Sequence, residues 1–218
     1  MINIAIDGPA GAGKSSVAKA VAAKLGFIYV DTGALYRSIG VNALRHNIST
    51  DNADAVTAIL PETKVELKYI DGTQRVILNG EDVSEAIRMP EASMAASNVS
   101  AIPAVRAFLL DLQRDMAKNN NVIMDGRDIG TVILPDADYK FFLTASAEVR
   151  ADRRFKELKE KGIDVDYNAL LEEIIQRDYN DSHRATAPLK QAEDAILIDS
   201  SNLTLDESID AIVNRIKV

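Results

Sequence analysis

The chain has 218 residues, of which 47% are hydrophobic and 27% are charged, and its formal net charge is -8. This composition is typical of a globular protein with one main core, and it excludes the disordered and fibrous classes. The acidic balance argues against nucleic acid or an anionic membrane as a partner, because both attract basic surfaces. With no cysteine the chain has neither disulfides nor a thiol nucleophile, which fits a reducing cytoplasm.

Targeting signals are not expected in this sequence. No apolar run approaches the roughly 20 residues that cross a bilayer, and no basic segment with a small-residue cleavage site follows Met1. We therefore expect a cytoplasmic protein without a membrane partner. We also expect a monomer, because no predicted helix has a conspicuous exposed apolar face.

Short apolar runs alternate with helical patterns along most of the chain. The runs that predict strands lie at 2–6, 27–30, 122–124, 139–143 and 195–198. The stretches with apolar residues at helical spacing lie at 15–25, 34–47, 103–118, 147–161, 167–182 and 205–217. Thr204 and Glu207 have capping-box spacing at the start of the last stretch. The alternation predicts an α/β fold of three layers around a five-stranded parallel sheet.

One stretch breaks this alternation. Alternating runs at 64–70 and 75–78 are separated by Asp71-Gly72, and the second run is followed by Asn79-Gly80. Both dipeptides are typical of tight turns between antiparallel strands. The stretch therefore predicts a small antiparallel β insertion.

Residues 8–15 follow a predicted strand, precede a predicted helix and match the phosphate-binding pattern G-x-x-x-x-G-K-[ST]. Glycines let consecutive backbone N–H groups and the helix N-terminus point at phosphate oxygens. Lys14 would reach the β- and γ-phosphates of ATP, and the Ser15 hydroxyl would hold Mg²⁺. The residues predicted to bind ATP are Gly8, Pro9, Ala10, Gly11, Ala12, Gly13, Lys14, Ser15 and Ser16.

This pattern is shared by kinases, GTPase switches, motors and nucleotide-dependent regulators. The chain has no N-K-x-D segment of the kind that recognises guanine in GTPases, and it lacks the extra length of a motor. A small-molecule kinase is therefore favoured. A regulator that binds ATP without turning over an acceptor remains the alternative.

A second group of charged residues follows the apolar run 122–124. Asp125 ends this run, as expected for a carboxylate that supports Mg²⁺ beside the phosphate-binding loop. Arg127 and Asp128 come next, at the carboxyl end of the predicted strand, where ligands bind in open α/β sheets. They are candidates for binding the acceptor, and a mutual ion pair between them is the alternative.

Three segments resemble the bacterial cytidylate kinase family in order and spacing: D-T-G-A-L-Y-R at 31–37, D-G-R-D-I-G-T at 125–131 and R-D-Y-N-D-S-H-R at 177–184. The sequence A-P-L at 187–189 extends the likeness, which covers essentially the whole chain, including the β insertion. The resemblance implies a P-loop kinase fold. It also implies transfer of the γ-phosphate of ATP to CMP or dCMP, with Mg²⁺ as the metal.

The same resemblance implies roles for individual acceptor-site residues. Thr32, Arg106 and Asp128 would read the cytosine, Ser97, Arg177 and Asp181 would face the ribose, and Arg37, Arg127 and Arg184 would hold phosphate; Tyr36 belongs to the same motif as Thr32. Chemistry supports Asp128 independently, because a carboxylate accepts a hydrogen bond from the N4 amine of cytosine and none from the O4 of uracil. For Arg106, a solvated charge on a helix surface is the alternative.

Arginines on two predicted helices form a candidate lid. Arg150, Arg153 and Arg154 lie on one face of the first helix, and Arg177, Asp181 and Arg184 are spaced to lie on one face of the second. Cations on a closing lid would stabilise the migrating phosphoryl group and exclude water. The residues predicted to be catalytic are Lys14, Arg127, Arg150, Arg153 and Arg184. For Arg150, Arg153 and Arg184 the alternative is neutralisation by neighbouring carboxylates. Examples of such neighbours are Glu148, Glu157 and Asp178.

We therefore divide the chain into a kinase core at 1–59, 98–146 and 186–218, an acceptor-binding insertion at 60–97 and a lid at 147–185. A general base is not required, because the acceptor is already a phosphate anion. Within the kinases, UMP, AMP or a small alcohol such as shikimate are the alternative acceptors.

Overall fold

The computed structural model describes residues 1–70 and 73–217. Its strands are β1 (Asn3–Asp7), β2 (Ile28–Asp31), β3 (Val65–Ile70), β4 (Thr73–Leu78), β5 (Glu81–Asp82), β6 (Val122–Gly126), β7 (Tyr139–Thr144) and β8 (Ile196–Asp199). Its α-helices are α1 (Lys14–Leu25), α2 (Thr32–Arg45), α3 (Ala53–Ile59), α4 (Pro90–Ser100), α5 (Pro103–Asn119), α6 (Ala147–Glu160), α7 (Tyr167–His183) and α8 (Leu205–Val213). A π-helical turn lies at Ile129–Ile133, and 3₁₀ turns lie at Leu60–Glu62 and Ala86–Arg88.

The larger sheet has five strands in the order β2, β6, β1, β7, β8. β1 runs parallel to β6 and to β7, and β7 runs parallel to β8. Ile4 and Ile6 on β1 are fully buried, which is why this central strand reads as a continuous apolar run. The predicted α/β fold with a five-stranded parallel sheet is confirmed. The strand order reverses beside β1, so the carboxyl ends of β1 and β6 mark the expected ligand site.

The smaller sheet is antiparallel and has three strands in the order β3, β4, β5. Asn79 and Gly80 connect β4 to β5 with positive φ angles of 51° and 88°, as a two-residue hairpin turn requires. The predicted antiparallel insertion is therefore confirmed. The turn predicted at Asp71-Gly72 lies outside the described residues.

The predicted helices are present, with ends that differ from the prediction by a few residues. The largest difference is at α8, which ends at Val213 where the pattern predicted residue 217. Its start is as predicted, because Thr204 and Glu207 accept hydrogen bonds from each other's backbone N–H groups. The sequence pattern does not predict α3 or α4. In α4 most side chains are those of Ala and Ser, which give no clear apolar period.

The chain forms two compact units, Met1–Tyr29 with Asn120–Val218, and Val30–Asn119. In the first unit the core side chains come from α1, α8 and the large sheet and include Val17, Val21, Ile123, Phe141, Leu143, Ile209 and Ile212. In the second unit they come from α2, the small sheet, α4 and α5 and include Leu35, Ile39, Val76, Leu78, Val99 and Leu109. The predicted bounds of core, insertion and lid stay a prediction.

Within the described ranges, no single helix is both long enough and apolar enough to cross a membrane. The two helices α4 and α5 pass that test of length and composition only when they are taken together, and a bend of 101° separates them. Side chains from both helices, including Val99 and Leu109, belong to the core of the second unit.

Gly40 lies where the backbone of α2 packs tightly against α4. A Cβ atom at this position would stand 2.7 Å from the Cβ of Ala95 and 3.1 Å from its carbonyl carbon. Although alanine is favoured over glycine in a helix interior by ~1 kcal/mol, such overpacking costs about 1–3 kcal/mol. We therefore expect Gly40→Ala to lower the free energy of unfolding, measured by urea denaturation.

The matched control for Gly40→Ala is the exchange of its neighbour. Ala95→Gly in the Gly40→Ala background removes the clashing methyl group. The double variant should therefore lose less stability than the sum of the losses of the two single variants. If the two changes were simply additive, the contact between α2 and α4 would not be the reason for glycine at this position.

Candidate active site

The phosphate-binding loop leaves the carboxyl end of β1 at Gly8. Gly8 has a φ of +148°, and a Cβ atom there would overlap the carbonyl oxygen of Leu143 on β7, so the loop can pass the sheet only with glycine at this point. The helix α1 then begins at Lys14 with no acidic residue in its first turn, and no described side chain caps it. Its first backbone N–H groups are therefore suited to an anion. Ser15 and Ser16 lie exposed on this first turn.

Lys14 is buried under the loop that it is predicted to serve. Its Nζ atom donates a hydrogen bond to the carbonyl oxygen of Pro9 at 2.7 Å. Burial lowers the pKa of the ammonium group from 10.5 to about 7, and the Arg127 cation acts in the same direction. The carboxylates of Asp125 and Asp7 oppose this lowering. A phosphate anion beside Lys14 would favour its charged form.

Asp125 receives two hydroxyl groups at the end of β6. The Ser15 Oγ atom donates to its Oδ2 at 2.8 Å, and the Tyr29 hydroxyl donates to its Oδ1 at 2.8 Å. Oxygen donors of this kind fit Mg²⁺, which is usually held by one or two protein groups together with substrate phosphates. The described residues contain no group of three or more His, Asp or Glu side chains that could hold a metal.

The loop after β6 is tied to the end of α7 by two ion pairs. The Nε atom of Arg127 donates to the Oδ2 of Asp181 at 2.9 Å, and the Nη2 of Arg184 lies 3.5 Å from the Oδ1 of Asp128. The side chains of both aspartates and of Arg184 are buried. Arg127 therefore pairs with α7, and Asp128 pairs with the residue that follows α7. The alternative considered from the sequence was an ion pair between Arg127 and Asp128 themselves.

Arg184 follows directly after the last residue of α7. Its Nε donates to the carbonyl oxygen of Ala187 at 2.7 Å, and the Leu189 N–H donates to the Asp181 carbonyl at 2.7 Å. Ala187 adopts a positive φ of 47°, which is uncommon for a residue with a Cβ atom. The segment 184–189 therefore holds Arg184 in place, and Arg177 lies on α7 close enough for its charge to act on Lys14.

The predicted lid arginines differ in their contacts. Arg150 is buried, donates to the Ala10 carbonyl of the phosphate-binding loop at 3.0 Å and forms a two-pronged ion pair with Asp178. Arg153 donates to the backbone carbonyl of Ser200 at 2.7 Å, and the Ser200 hydroxyl in turn bonds the Ala12 carbonyl. Arg150 thus contacts the loop directly, and Arg153 is linked to it through Ser200.

Arg154, by contrast, pairs with Glu157 on the exposed face of α6. Asp178, which pairs with Arg150, and Glu157, which pairs with Arg154, are two of the carboxylates that the sequence suggested as neutralising partners of the lid arginines. A catalytic role for Arg150 and Arg153 stays a prediction.

The other predicted acceptor residues belong to the second unit. Thr32 is buried at the start of α2, and Arg37 pairs with Asp31 at 2.8 Å. Arg106 is buried on α5, with its guanidinium 5.5 Å from the ring centre of Tyr36 and one nitrogen donating to the Ser100 carbonyl. The alternative of a solvated Arg106 does not fit this burial.

Ser97 lies half-buried on α4, one turn before Ser100. The acceptor roles of Thr32, Tyr36, Arg37, Ser97 and Arg106 stay predictions.

Comparison with known proteins identifies the family. The family profile described as cytidylate kinase matches residues 4–218. A cytidylate kinase of Caldicellulosiruptor saccharolyticus is 57% identical over 97% of this chain and 94% of its own. The chain belongs to the cytidylate kinase family. A second member, from Clostridium botulinum, is 50% identical over 99% of this chain and 98% of its own.

A solved structure of a gluconokinase from Sinorhizobium meliloti shares the fold. It covers 98% of this chain and 90% of its own, with a TM-score of 0.50 and 15% sequence identity. Together with the sheet order, this likeness confirms the predicted kinase fold. Membership in the cytidylate kinase family confirms the predicted enzyme class and disfavours the regulator.

Sequence reasoning missed two residues of this site. Tyr29 on β2 bonds Asp125, and Asp7 at the end of β1 bonds the loop after β6. A signal was present for Asp7, since a carboxylate at the carboxyl end of a central parallel strand faces the ligand edge of the sheet. Tyr29 gave no comparable signal, because aromatic residues are common in strands.

Proposed function

We propose that this chain transfers the γ-phosphate of ATP to CMP and to dCMP, giving CDP or dCDP and ADP. The observation that carries the proposal is the loop after β6, where the buried Asp128 carboxylate lies beside Arg184 and Arg127 lies beside Asp181. A kinase whose acceptor is a nucleoside monophosphate needs a site of this kind, with a polar group for the acceptor base and cations for its phosphate. The names of the related cytidylate kinases support CMP as the acceptor.

In the proposed reaction an oxygen of the CMP phosphate attacks the γ-phosphorus of ATP. The bond between the γ-phosphorus and the β,γ-bridging oxygen breaks, and ADP leaves with that electron pair. No covalent intermediate with the protein and no general base are needed, because the attacking oxygen is already anionic. The protein's part is to position the groups and to stabilise charge on the migrating phosphoryl.

Side chains of the first unit supply these functions in the proposal. Lys14 and the N–H groups at the start of α1 bind the β- and γ-phosphates. Ser15 and Asp125 would hold Mg²⁺, which when bound neutralises phosphate charge. Arg127 and Arg184 bind the acceptor phosphate and the migrating phosphoryl, exchanging their carboxylate partners for phosphate oxygens.

Asp128 distinguishes cytosine from uracil in this proposal. Its carboxylate can accept a hydrogen bond from the exocyclic N4 amine, whereas the O4 of uracil would face it with a second acceptor. A buried carboxylate that is left facing an acceptor is strongly unfavourable, so selectivity against UMP is expected to be large. A cytoplasmic location and a monomeric state stay predictions.

The test is ADP release from ATP and Mg²⁺ with CMP, dCMP, UMP, AMP, GMP and dTMP supplied one at a time at equal concentration. We expect turnover with CMP and dCMP well above a control without acceptor. Turnover with a different acceptor would keep the kinase and remove the role of Asp128. No turnover with any of them would contradict the proposal and revive the nucleotide-dependent regulator.

A further inference from the structure

Asp7 is a buried carboxylate at the carboxyl end of β1, just before the phosphate-binding loop. Only 4% of its surface is exposed. Its Oδ1 accepts a hydrogen bond from the Ile129 N–H, and its Oδ2 accepts one from the Gly130 N–H, each at 2.7 Å. One side chain of β1 thus holds two consecutive backbone groups of the segment that follows Asp128.

These two N–H groups are the first of the π-helical turn Ile129–Ile133. The first N–H groups of a helix have no partner inside it, and an aspartate just before the helix usually accepts from one of them. Asp128 occupies that position, yet in the described chain its side chain makes no capping bond to this turn. Asp7, which lies on β1, caps the turn in place of Asp128. The Asp128 carboxylate lies beside Arg184.

We propose that Asp7 is a positioning residue for acceptor recognition: by capping the turn at Ile129 in place of Asp128, it directs the Asp128 carboxylate toward the acceptor base. This inference rests on the proposed function, because it gives Asp7 a purpose only where Asp128 reads cytosine. Without the Asp7 cap, the Asp128 carboxylate would be drawn to the N–H groups of its own turn.

The surroundings of Asp7 argue against a purely stabilising role. Burial raises its pKa from 3.8 to about 6; the Gly130 and Ile129 N–H groups and Lys14 oppose the rise, and Asp128 adds to it. Lys140 packs beside Gly130 with its aliphatic carbons. A buried carboxylate with a raised pKa destabilises the folded state at neutral pH relative to an uncharged group. At neutral pH the ionised Asp7 therefore lowers the stability of the fold, and its two hydrogen bonds offset this cost only in part.

The test is the nearly isosteric Asp7→Asn variant of the full chain. One amide oxygen can still accept from one N–H, while the amide NH₂ faces the other N–H and repels it. We expect KM for CMP to rise roughly tenfold, KM for ATP to change less than about twofold, and the preference for CMP over UMP to fall. Amide hydrogen exchange at Ile129 and Gly130 should become faster, which reports directly on the cap.

Ile4→Val is the matched control, since Ile4 is fully buried on β1 and its partners on the neighbouring strands, Ile123 and Tyr139, are not predicted site residues. It should lower Tm without changing the CMP to UMP preference. Gly130→Ala acts on the same contact from the opposite side, because its Cβ would stand 3.4 Å from the Asp7 Oδ2 and 3.1 Å from the Lys140 Cδ. It should raise KM for CMP selectively, as Asp7→Asn does.

The outcomes separate this inference from the proposed function. If wild-type protein turns over CMP while Asp7→Asn and Gly130→Ala alter ATP and CMP kinetics equally, or behave like Ile4→Val, the positioning role is wrong and the proposed function stands. If wild-type protein does not turn over CMP at all, the proposed function fails and this inference fails with it. A selective loss of CMP affinity and preference supports both.

Discussion

Lys14→Met is expected to keep the fold and to lose phosphoryl transfer. Lys14 lies under the phosphate-binding loop, where its cation would stabilise the charge that develops between ATP and the acceptor. Loss of one such preorganised group lowers kcat by about a hundredfold to a thousandfold. The measurement is ADP release at saturating ATP and CMP, with the loss in kcat compared to the change in KM for ATP.

The stability of this variant follows from the pKa of Lys14. Burial lowers that pKa from 10.5 to about 7, so the unfolded chain holds the proton more tightly than the folded one. Below pH 7 both states are protonated, and the folded state carries the full penalty of the buried cation. The penalty shrinks as pH rises from 7 and is absent above 10.5. Methionine removes it, so Tm at pH 7 should not fall.

Lys24→Met is the matched control for Lys14→Met. Lys24 lies on the same helix, is more than half exposed and pairs with Asp210 on α8. Its loss should leave kcat unchanged, since an exposed ion pair contributes little. If Lys14→Met lowered Tm at pH 7 and reduced activity only in proportion to unfolded protein, Lys14 would be structural and its catalytic assignment would be wrong.

The parts of the structure that the sequence predicts well are those specified by neighbouring residues. The phosphate-binding loop is a continuous pattern between a strand and a helix, the capping box at Thr204 spans four residues, and the turn at Asn79-Gly80 needs only its own two. The parallel sheet is predictable for a similar reason. Its buried strands are continuous apolar runs, and these runs are shorter than the helical stretches between them.

The parts that escape prediction depend on contacts between distant positions. Asp7 meets Ile129 across 122 residues, and Tyr29 meets Asp125 across 96. The local pattern marks Asp7 only as a carboxylate at the end of a strand, and it does not show which residues Asp7 and Tyr29 contact. Hydrogen bonds to a backbone N–H or between two side chains leave no periodic trace. Arg150 shows the same limit: its spacing on α6 predicts a face, and only the structure shows that this face meets Asp178 and the Ala10 carbonyl.

Asp128→Asn is expected to remove the preference for CMP. Asparagine keeps the size of the side chain, but its amide can donate to the O4 of uracil as readily as its oxygen accepts from the N4 amine of cytosine. The ratio of kcat/KM for CMP to that for UMP should fall by roughly a hundredfold, with KM for ATP changed by less than about threefold. The measurement is kcat/KM with each acceptor at saturating ATP.

Arg184→Met distinguishes two explanations for the effect of Asp128→Asn: loss of base recognition by Asp128, and loss of the ion pair between Asp128 and Arg184. Asp128→Asn also weakens the contact with Arg184, whose Nη2 lies 3.5 Å from the Asp128 carboxylate, so a disordered Arg184 could lower activity by itself. Arg184→Met removes that cation and keeps the carboxylate. It should therefore lower kcat with both acceptors and preserve the preference for CMP over UMP. If it erased the preference as fully as Asp128→Asn does, selectivity would come from the placement of Arg184, and Asp128 would serve only to hold it.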